Sequence, residues 1–413
     1  MAGRPWIIVG FVPVLPHIPG FEPESVIVVD EPDVIRKRGI EAAMAGAPML
    51  RELLAWEYQL EASADAFYNA RPDLDPALIV PLVEYATPFA ARLAERYGLP
   101  GAGAGAARIL RDKALLRTVS QSAGIDNPVS RAVADAADLR KFMSELPGPV
   151  ILKRADRQAS LGAKVLHDQD EAEAAWWECV NASEGAMAPD RPVPVRILAE
   201  RFVQGDEYSV EMLVRDGRPL FSNVTAKQLF PGPRPVELGH LVPAPIDASL
   251  DALLRKRTED VLRSVGFGSG VVHCEWIVSS GVPFLVECAG RFPGDGITGL
   301  IDEAYGFDIA NACFAILRGD EPDSLPQQAV QGTAVRFLQA EPGRVVSVEG
   351  IEDAEAVDGV LHVSVSVHPD DTVAELRSSW DRVGSVTASG PTAAEAMERA
   401  ARASELIRIE TKQ

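Results

Sequence analysis

Cysteine is scarce in this chain and never occurs in a close pair. Only Cys179, Cys274, Cys288 and Cys313 are present among 413 residues, with no CxxC spacing. That excludes a disulfide framework and the usual clustered-thiolate metal and redox motifs. Three of the four sit in apolar runs, so they are expected as reduced, buried thiols of a cytoplasmic protein. Cys274 and Cys288 are expected to face the core rather than act as nucleophiles. Positive charge is also short, with 40 Lys and Arg against 60 Asp and Glu, a net charge of −20. Nucleic acid is therefore a poor partner, because phosphate affinity rests on clustered cations. Any anionic substrate must be gripped by local cations against the general field. No apolar run approaches the length of a membrane span. The opening MAGRPWIIVGFVPVLPHIPG is broken by prolines and lacks a small-residue cleavage site, so it is read as a first strand rather than a signal peptide. Internal repeats, low-complexity tracts and the P-loop pattern are missing too.

What is present is a globular composition, 47% hydrophobic and 24% charged, long enough for two or three domains. Short β-rich runs at 6–12, 26–30 and 78–83, with helical sequence between the last two, predict a small parallel α/β domain over about residues 1–104. A helix is expected over 87–98, with Thr87 as N-cap, Pro88 at the first helical position and a glycine stop. GAGAGA at 101–106 follows Leu-Pro rather than a strand and is read as a linker, not a dinucleotide loop. One amphipathic helix is expected over 108–123, ended by Gly124. A β-run at 148–155 leads into the small, polar loop 156–164 and then a helix around 170–182. Strands follow at 193–203 and across 207–228, the latter turning at Asp216–Gly217. Further helices are expected at 247–265, 298–305 and 308–318. From about residue 320, strands at 333–340 and 360–367 and a helix at 391–406 suggest a further α+β subdomain.

Chemistry concentrates in residues 271–296, VVHCEWIVSSGVPFLVECAGRFPGDG. Two strands joined by a turn at 279–281 put His273 and Glu275 on one face, and the facing strand brings Glu287 beside them. Paired carboxylates, with Arg291 four residues on, suit oxygen ligation of Mg²⁺ beside an anion clamp. A surface hairpin with solvated charges fits the same pattern. Upstream, Lys153 ends an apolar strand just before loop 156–163, where an ammonium and free loop amides suit a phosphate. Lys113, on the preceding helix, is a second candidate cation. Glu200 and Glu207 bracket a short apolar hinge whose backbone suits a purine edge, with a carboxylate beyond it suited to ribose hydroxyls. Each of these charges also reads as solvated surface.

Taken in order, Lys113, Lys153 with its loop, Glu200–x6–Glu207, His273–x–Glu275 and Glu287–x3–Arg291 resemble the ATP-grasp superfamily. ERFVQGDEYSVE, ELGHLVPAP and the hairpin string are similar to its carboxylate–amine (L-amino acid or dipeptide) ligases. The resemblance implies an ATP-grasp fold, α/β and α+β, with a Rossmann-like parallel-sheet domain at 1–107. A lid would follow at 108–198, a large catalytic subdomain at 199–320 and a C-terminal α+β subdomain at 321–413. Its implied cofactors are ATP and Mg²⁺, with Mn²⁺ as a substitute. Lys113 and Lys153 would contact ATP phosphates, and loop 156–163, with Ser160 and Gly162, would close over them. Glu200 and the 201–203 backbone, including Phe202 and Val203, would take the adenine, and Glu207 the ribose. Glu275 and Glu287 would bind the metal, and Arg291 would steady the transferred phosphoryl group. His240, in ELGHLVP, reads either as facing the substrate amino group or acyl phosphate or as a satisfied structural histidine. Glu211, Lys227 and Glu237 are further pocket candidates. Where the family often carries Asn as a further ligand, this chain has Ala289. The activity implied is ATP-dependent joining of amino acids through an acyl phosphate; a bicarbonate-dependent carboxylase and a non-catalytic nucleotide-binding regulator are the alternatives. No biotinyl attachment motif accompanies the former. Amino acids are the expected partners, and a homodimer is allowed.

Overall fold

A computed structural model describes residues 3–412 apart from Pro19 and Pro233, the latter within a loop (231–245) expected to line the pocket. Strands Trp6–Val9, Val26–Asp30, Leu50–Ala55 and Leu78–Pro81 form a parallel sheet in the order third, second, first, fourth. Continuous apolar runs such as VIVVD suit strands buried on both faces, and all five of its residues are buried. The Leu50–Ala55 strand lay within sequence expected to be helical. It is an edge strand, where exposed Arg51 and half-buried Glu52 interrupt the apolar pattern.

The helix expected from 87 begins at Thr87 itself, because Ala86 takes the N-cap position, and it stops at Gly98 as expected. The glycine–alanine stretch is not all linker. Residues 101–103 stay outside regular structure, the carbonyls of Gly101 and Ala102 accepting from Ser269 and Gly268 at 2.8 and 2.9 Å. Alanine, the best helix former, then carries residues from 104 into the helix Ala104–Arg111. The single helix expected over 108–123 is two. Asp112 leaves helical geometry, and its carboxylate caps the amides of Ala114 and Leu115, starting the helix Lys113–Ser122.

A four-stranded antiparallel sheet follows, in the order Ser130–Val133, Ile197–Arg201, Val150–Arg154, Lys164–Leu166. Helices Ala136–Glu145 and Ala172–Asn181 pack on it through Leu139, Phe142, Ala175 and Cys179. The largest sheet has eight antiparallel strands. Its order is Val282–Ala289, Gly270–Ser279, Asp206–Arg215, Arg218–Leu229, Glu237–Val242, Gly332–Leu338, Gly384–Gly390 and Val360–Val365. The acidic hairpin is thus one edge of a sheet that runs without a break into the C-terminal quarter, whose own separate sheet is three-stranded. Helix Ala248–Val265 covers the sheet between its Asp247 cap and the left-handed Gly266, and Trp276 packs beneath it with its indole donating to Thr258 at 2.9 Å. All four cysteines are buried and free. No helix among the described residues is long and apolar enough to cross a membrane.

Candidate active site

Strand register brings the hairpin acids together. Glu275 and Glu287 are direct cross-strand partners, and on the other side of the same strand Glu211 faces His273. His273 bonds Glu211 through Nδ1 at 2.9 Å and Glu275 through Nε2 at 3.1 Å. Glu211 also accepts from Ser209, Asn223 and Thr225 at 2.7–2.9 Å. Burial alone would discharge His273, but the two carboxylates override it and raise its pKa to about 9. His273 and Glu211 therefore form a satisfied buried support beneath Glu275.

The two hairpin carboxylates that face the cleft each hold a lysine. Lys227 pairs with Glu275, and Lys113 lies 2.7 Å from Glu287 while donating to the Arg157 carbonyl, also at 2.7 Å. Two facing hard-oxygen donors fit Mg²⁺ if phosphates and water complete its shell. Ala289 is buried at the end of this strand and adds no donor. No cluster of three or more His, Cys, Asp or Glu ligands forms among the described residues.

Behind the acids, Glu200 is 2% exposed and fully engaged. Arg117 donates to one oxygen at 2.7 Å and Lys153 sits 2.6 Å from the other. Burial would raise the acid's pKa, yet the two cations bring it down to about 2. Burial also lowers the Lys153 pKa, against the pull of Glu200. Glu207, by contrast, is pushed up to about 7, because burial and the neighbouring Glu275 and Glu237 outweigh Lys227.

Lys153, Glu200 and Glu207 line a cleft between the four-stranded and the eight-stranded sheets, together with Lys113, Ser160, Phe202 and Val203. Ser160 donates to the Pro235 carbonyl at 2.7 Å, holding the loop across the mouth. Gly162 does not line the cleft. At φ +71, a Cβ there would come within 3.0 Å of Ala182 and 3.3 Å of the Cys179 backbone, so this glycine lets the loop pack on its helix.

A second, wider chamber adjoins the first, and Glu237, Glu275 and Glu287 line both. Arg291 and His240 belong to this second space. Arg291 pairs with Glu84 at 2.5 Å, just past the carboxyl end of the strand Leu78–Pro81. His240 is 1% exposed, and its Nε2 meets Asp295 at 3.0 Å, where Arg382 also binds. The acid of Asp295 is held well below the ordinary range; burial opposes this, and His240 and Arg382 win. Lys227 and Glu237 line the chamber as expected pocket groups, whereas Glu211 stays beneath it.

Sequence reasoning passed over Arg117, Glu84, Asp295 and Arg382. Their partners lie 83, 207 and 87 positions away along the chain, Arg382 and Asp295 sharing the last interval, so local pattern gave no sign of them. Glu84 alone had a usable signal, because ligands gather beyond the carboxyl ends of parallel strands. Gly205 was also missed. A Cβ there would lie 2.2 Å from the Val278 carbonyl oxygen, so only glycine lets this hinge pass the hairpin.

Comparison with known proteins agrees with this geometry. Residues 146–299 match the model of the ATP-grasp domain, and residues 336–412 match L-amino acid ligase C-terminal domain 2. Alanine–anticapsin ligase of Bacillus subtilis (strain 168) is 25% identical over 256 residues, covering 58% of this chain and 54% of that protein. Dapdiamide A synthase of Enterobacter agglomerans is 24% identical over 271 residues, covering 63% and 62%. The chain thus spans little more than half the length of the first of these relatives. The crystal structure of an L-amino acid ligase from Bacillus licheniformis superposes with a TM-score of 0.78 at 19% identity, covering 100% of both chains. The chain thus carries an ATP-grasp domain that includes the acidic hairpin, and an L-amino acid ligase C-terminal domain over its last strands.

Proposed function

We propose that this protein joins the carboxylate of one amino acid to the amine of a second, converting ATP to ADP and phosphate. The observation that carries the reading is the meeting of two chambers at Glu275 and Glu287, with lysines on one side and Arg291 on the other. A carboxylate is a poor electrophile and must first be activated. Its oxygen attacks the γ-phosphorus, the bond to ADP breaks, and an acyl phosphate forms. The amine nitrogen then attacks the acyl carbon, phosphate leaves with the bonding electrons, and the nitrogen sheds a proton. The first step brings anions together, so cations must neutralise the charge.

In this assignment Lys113 and Lys153 take the phosphates, while Glu200 anchors Lys153 and leaves the adenine edge to the backbone of 201–203. Glu207 takes the ribose. Glu275 and Glu287 would hold Mg²⁺, releasing their lysines toward phosphate oxygens; the ion supplies charge neutralisation at the transferred group. Arg291, oriented by Glu84, steadies that group from the chamber side. Loop 156–163 excludes water from a hydrolysable intermediate. The domain limits at 107, 198 and 320 follow the same reading.

The test is ADP and phosphate release across a panel of amino acid pairs, with mass spectrometry of the products. Release with paired amino acids and a condensed product is expected. Tight ATP binding without release for any pair would overturn the ligase reading, and bicarbonate-dependent turnover without an amine would replace it with carboxylation. Glu287→Gln is expected to keep the fold and abolish Mg²⁺-dependent turnover; full activity in that variant would remove the metal assignment.

A further inference from the structure

The second chamber has an apolar wall built from opposite ends of the chain. Val14, in the N-terminal domain, and Trp380, in the C-terminal quarter, both line it. Both are conspicuously open for apolar side chains, at 59% and 44% exposure. Trp380 is not loose, however. It sits on the turn Ser379–Asp381, where the Ser378 hydroxyl and Asp381 carboxylate cap one another's backbone. Ser379 donates to Glu237 at 2.7 Å, and its amide reaches the Ala159 carbonyl of the phosphate loop at 3.4 Å. Arg382 donates to the Ser379 carbonyl at 2.7 Å and to Asp295 at 3.0 Å, with its guanidinium 3.6 Å from the Phe337 ring centre. Four separate anchors therefore fix a turn whose largest side chain stays 44% exposed on the chamber wall. Holding an indole rigid and half-exposed wastes apolar area unless a ligand covers it.

We propose that Trp380 is a specificity-determining residue: its indole, which lines the chamber together with Val14, covers the apolar side chain of one of the two amino acids. This rests on the ligase reading and names the substrate class of the same site. An aliphatic or aromatic side chain gains from such a wall, while glycine and charged amino acids do not. Because the turn also touches the phosphate loop and Glu237, the side chain is sensed beside the point where the chambers meet.

The experiment compares the wild-type chain with Trp380→Ala and Trp380→Phe. It measures amino acid binding by calorimetry in the presence of Mg·ADP, and KM and kcat for each pair that turns over. In Trp380→Ala, Kd and KM for leucine- and phenylalanine-sized substrates should rise about tenfold or more, the scale of one lost apolar wall. Values for glycine, for alanine and for ATP should change less than about twofold, because none of them reaches the wall. Trp380→Phe should restore most of the selectivity. Equal losses for small and large amino acids, or for ATP, would show a structural role and overturn the proposal, as would unchanged selectivity. Selective binding without turnover would sustain the assignment of Trp380 and sink the ligase reading instead.

Discussion

The Arg117–Glu200–Lys153 cluster makes a quantitative forecast. Replacing Arg117 by Met removes one of two cations from a carboxylate that is 2% exposed, leaving Lys153 at 2.6 Å as its charged partner. The two cations together hold Glu200 at about 2 against an ordinary 4.5. That difference corresponds to about 3 kcal/mol in favour of the charged form. Breaking a buried ion pair from one side costs a similar amount, about 3–5 kcal/mol. Arg117→Met should therefore weaken the four-stranded sheet by about 3 kcal/mol. Hydrogen exchange in the strand Ile197–Arg201 reads this locally, without treating a chain of several domains as two-state. The sign with pH follows. A depressed carboxylate contributes stability that is present above 4.5 and lost as pH falls through about 2, so the gap between wild type and variant should narrow toward acid. Adding Glu200→Gln removes the charge that Arg117 compensated, and the double variant should lose less than the sum, with coupling of about 2 kcal/mol. Additive losses, or a pH-independent gap, would refute the ion-pair account.

Gly205→Ala should force the hinge off the hairpin, since its Cβ would lie 2.2 Å from the Val278 carbonyl oxygen. A loss of about 1–3 kcal/mol is expected in the hydrogen exchange of the strand Gly270–Ser279, with weaker ATP binding; unchanged ATP affinity would show that the hinge does not shape the cleft. Asp30, buried while accepting from the amides of Phe11 and Glu31, has its pKa raised to about 6, chiefly by burial. A raised acid stabilises most below 3.8, and the benefit is lost as pH rises through 6, by about 3 kcal/mol. Asp30→Asn should abolish that fall in the exchange of Val26–Asp30, at a pH-independent cost of about 1 kcal/mol for the lost acceptor. An identical pH slope in the variant would place the titration elsewhere.

Much was legible along the chain because the signals are local. Alternation in the hairpin puts His273 and Glu275 on one face, and the turn at Ser280–Gly281 sets the pairing of the strand tips, but a shift of register between Glu275 and Trp276, which the turn alone does not give, is what places Glu275 opposite Glu287. The apolar runs of the first sheet and the glycine stops at 98 and 266 are likewise single-segment properties. Boundaries failed where two local tendencies competed. Alanines turned a glycine-rich linker into a helix start, and an Asp that reads as part of an amphipathic helix became a cap that splits it.

Tertiary structure decided how these charges are spent. From its sequence Glu200 reads as a nucleotide contact; only its burial between Arg117 and Lys153 makes it an anchor. His273 reads as part of the acidic face, yet the pairing of its strand with Asp206–Arg215 places Glu211 beneath it and fixes it as support. The chamber wall from Val14 and Trp380, and the Arg382–Asp295–His240 cluster, join segments from distant parts of the chain. The sequence by itself determined which residue types the chemistry has and on which strand faces they lie, because a strand's two-residue period is a local rule. Only the tertiary structure decided which charges cancel and which face the cleft, because partner choice depends on burial and distance between segments far apart in the chain.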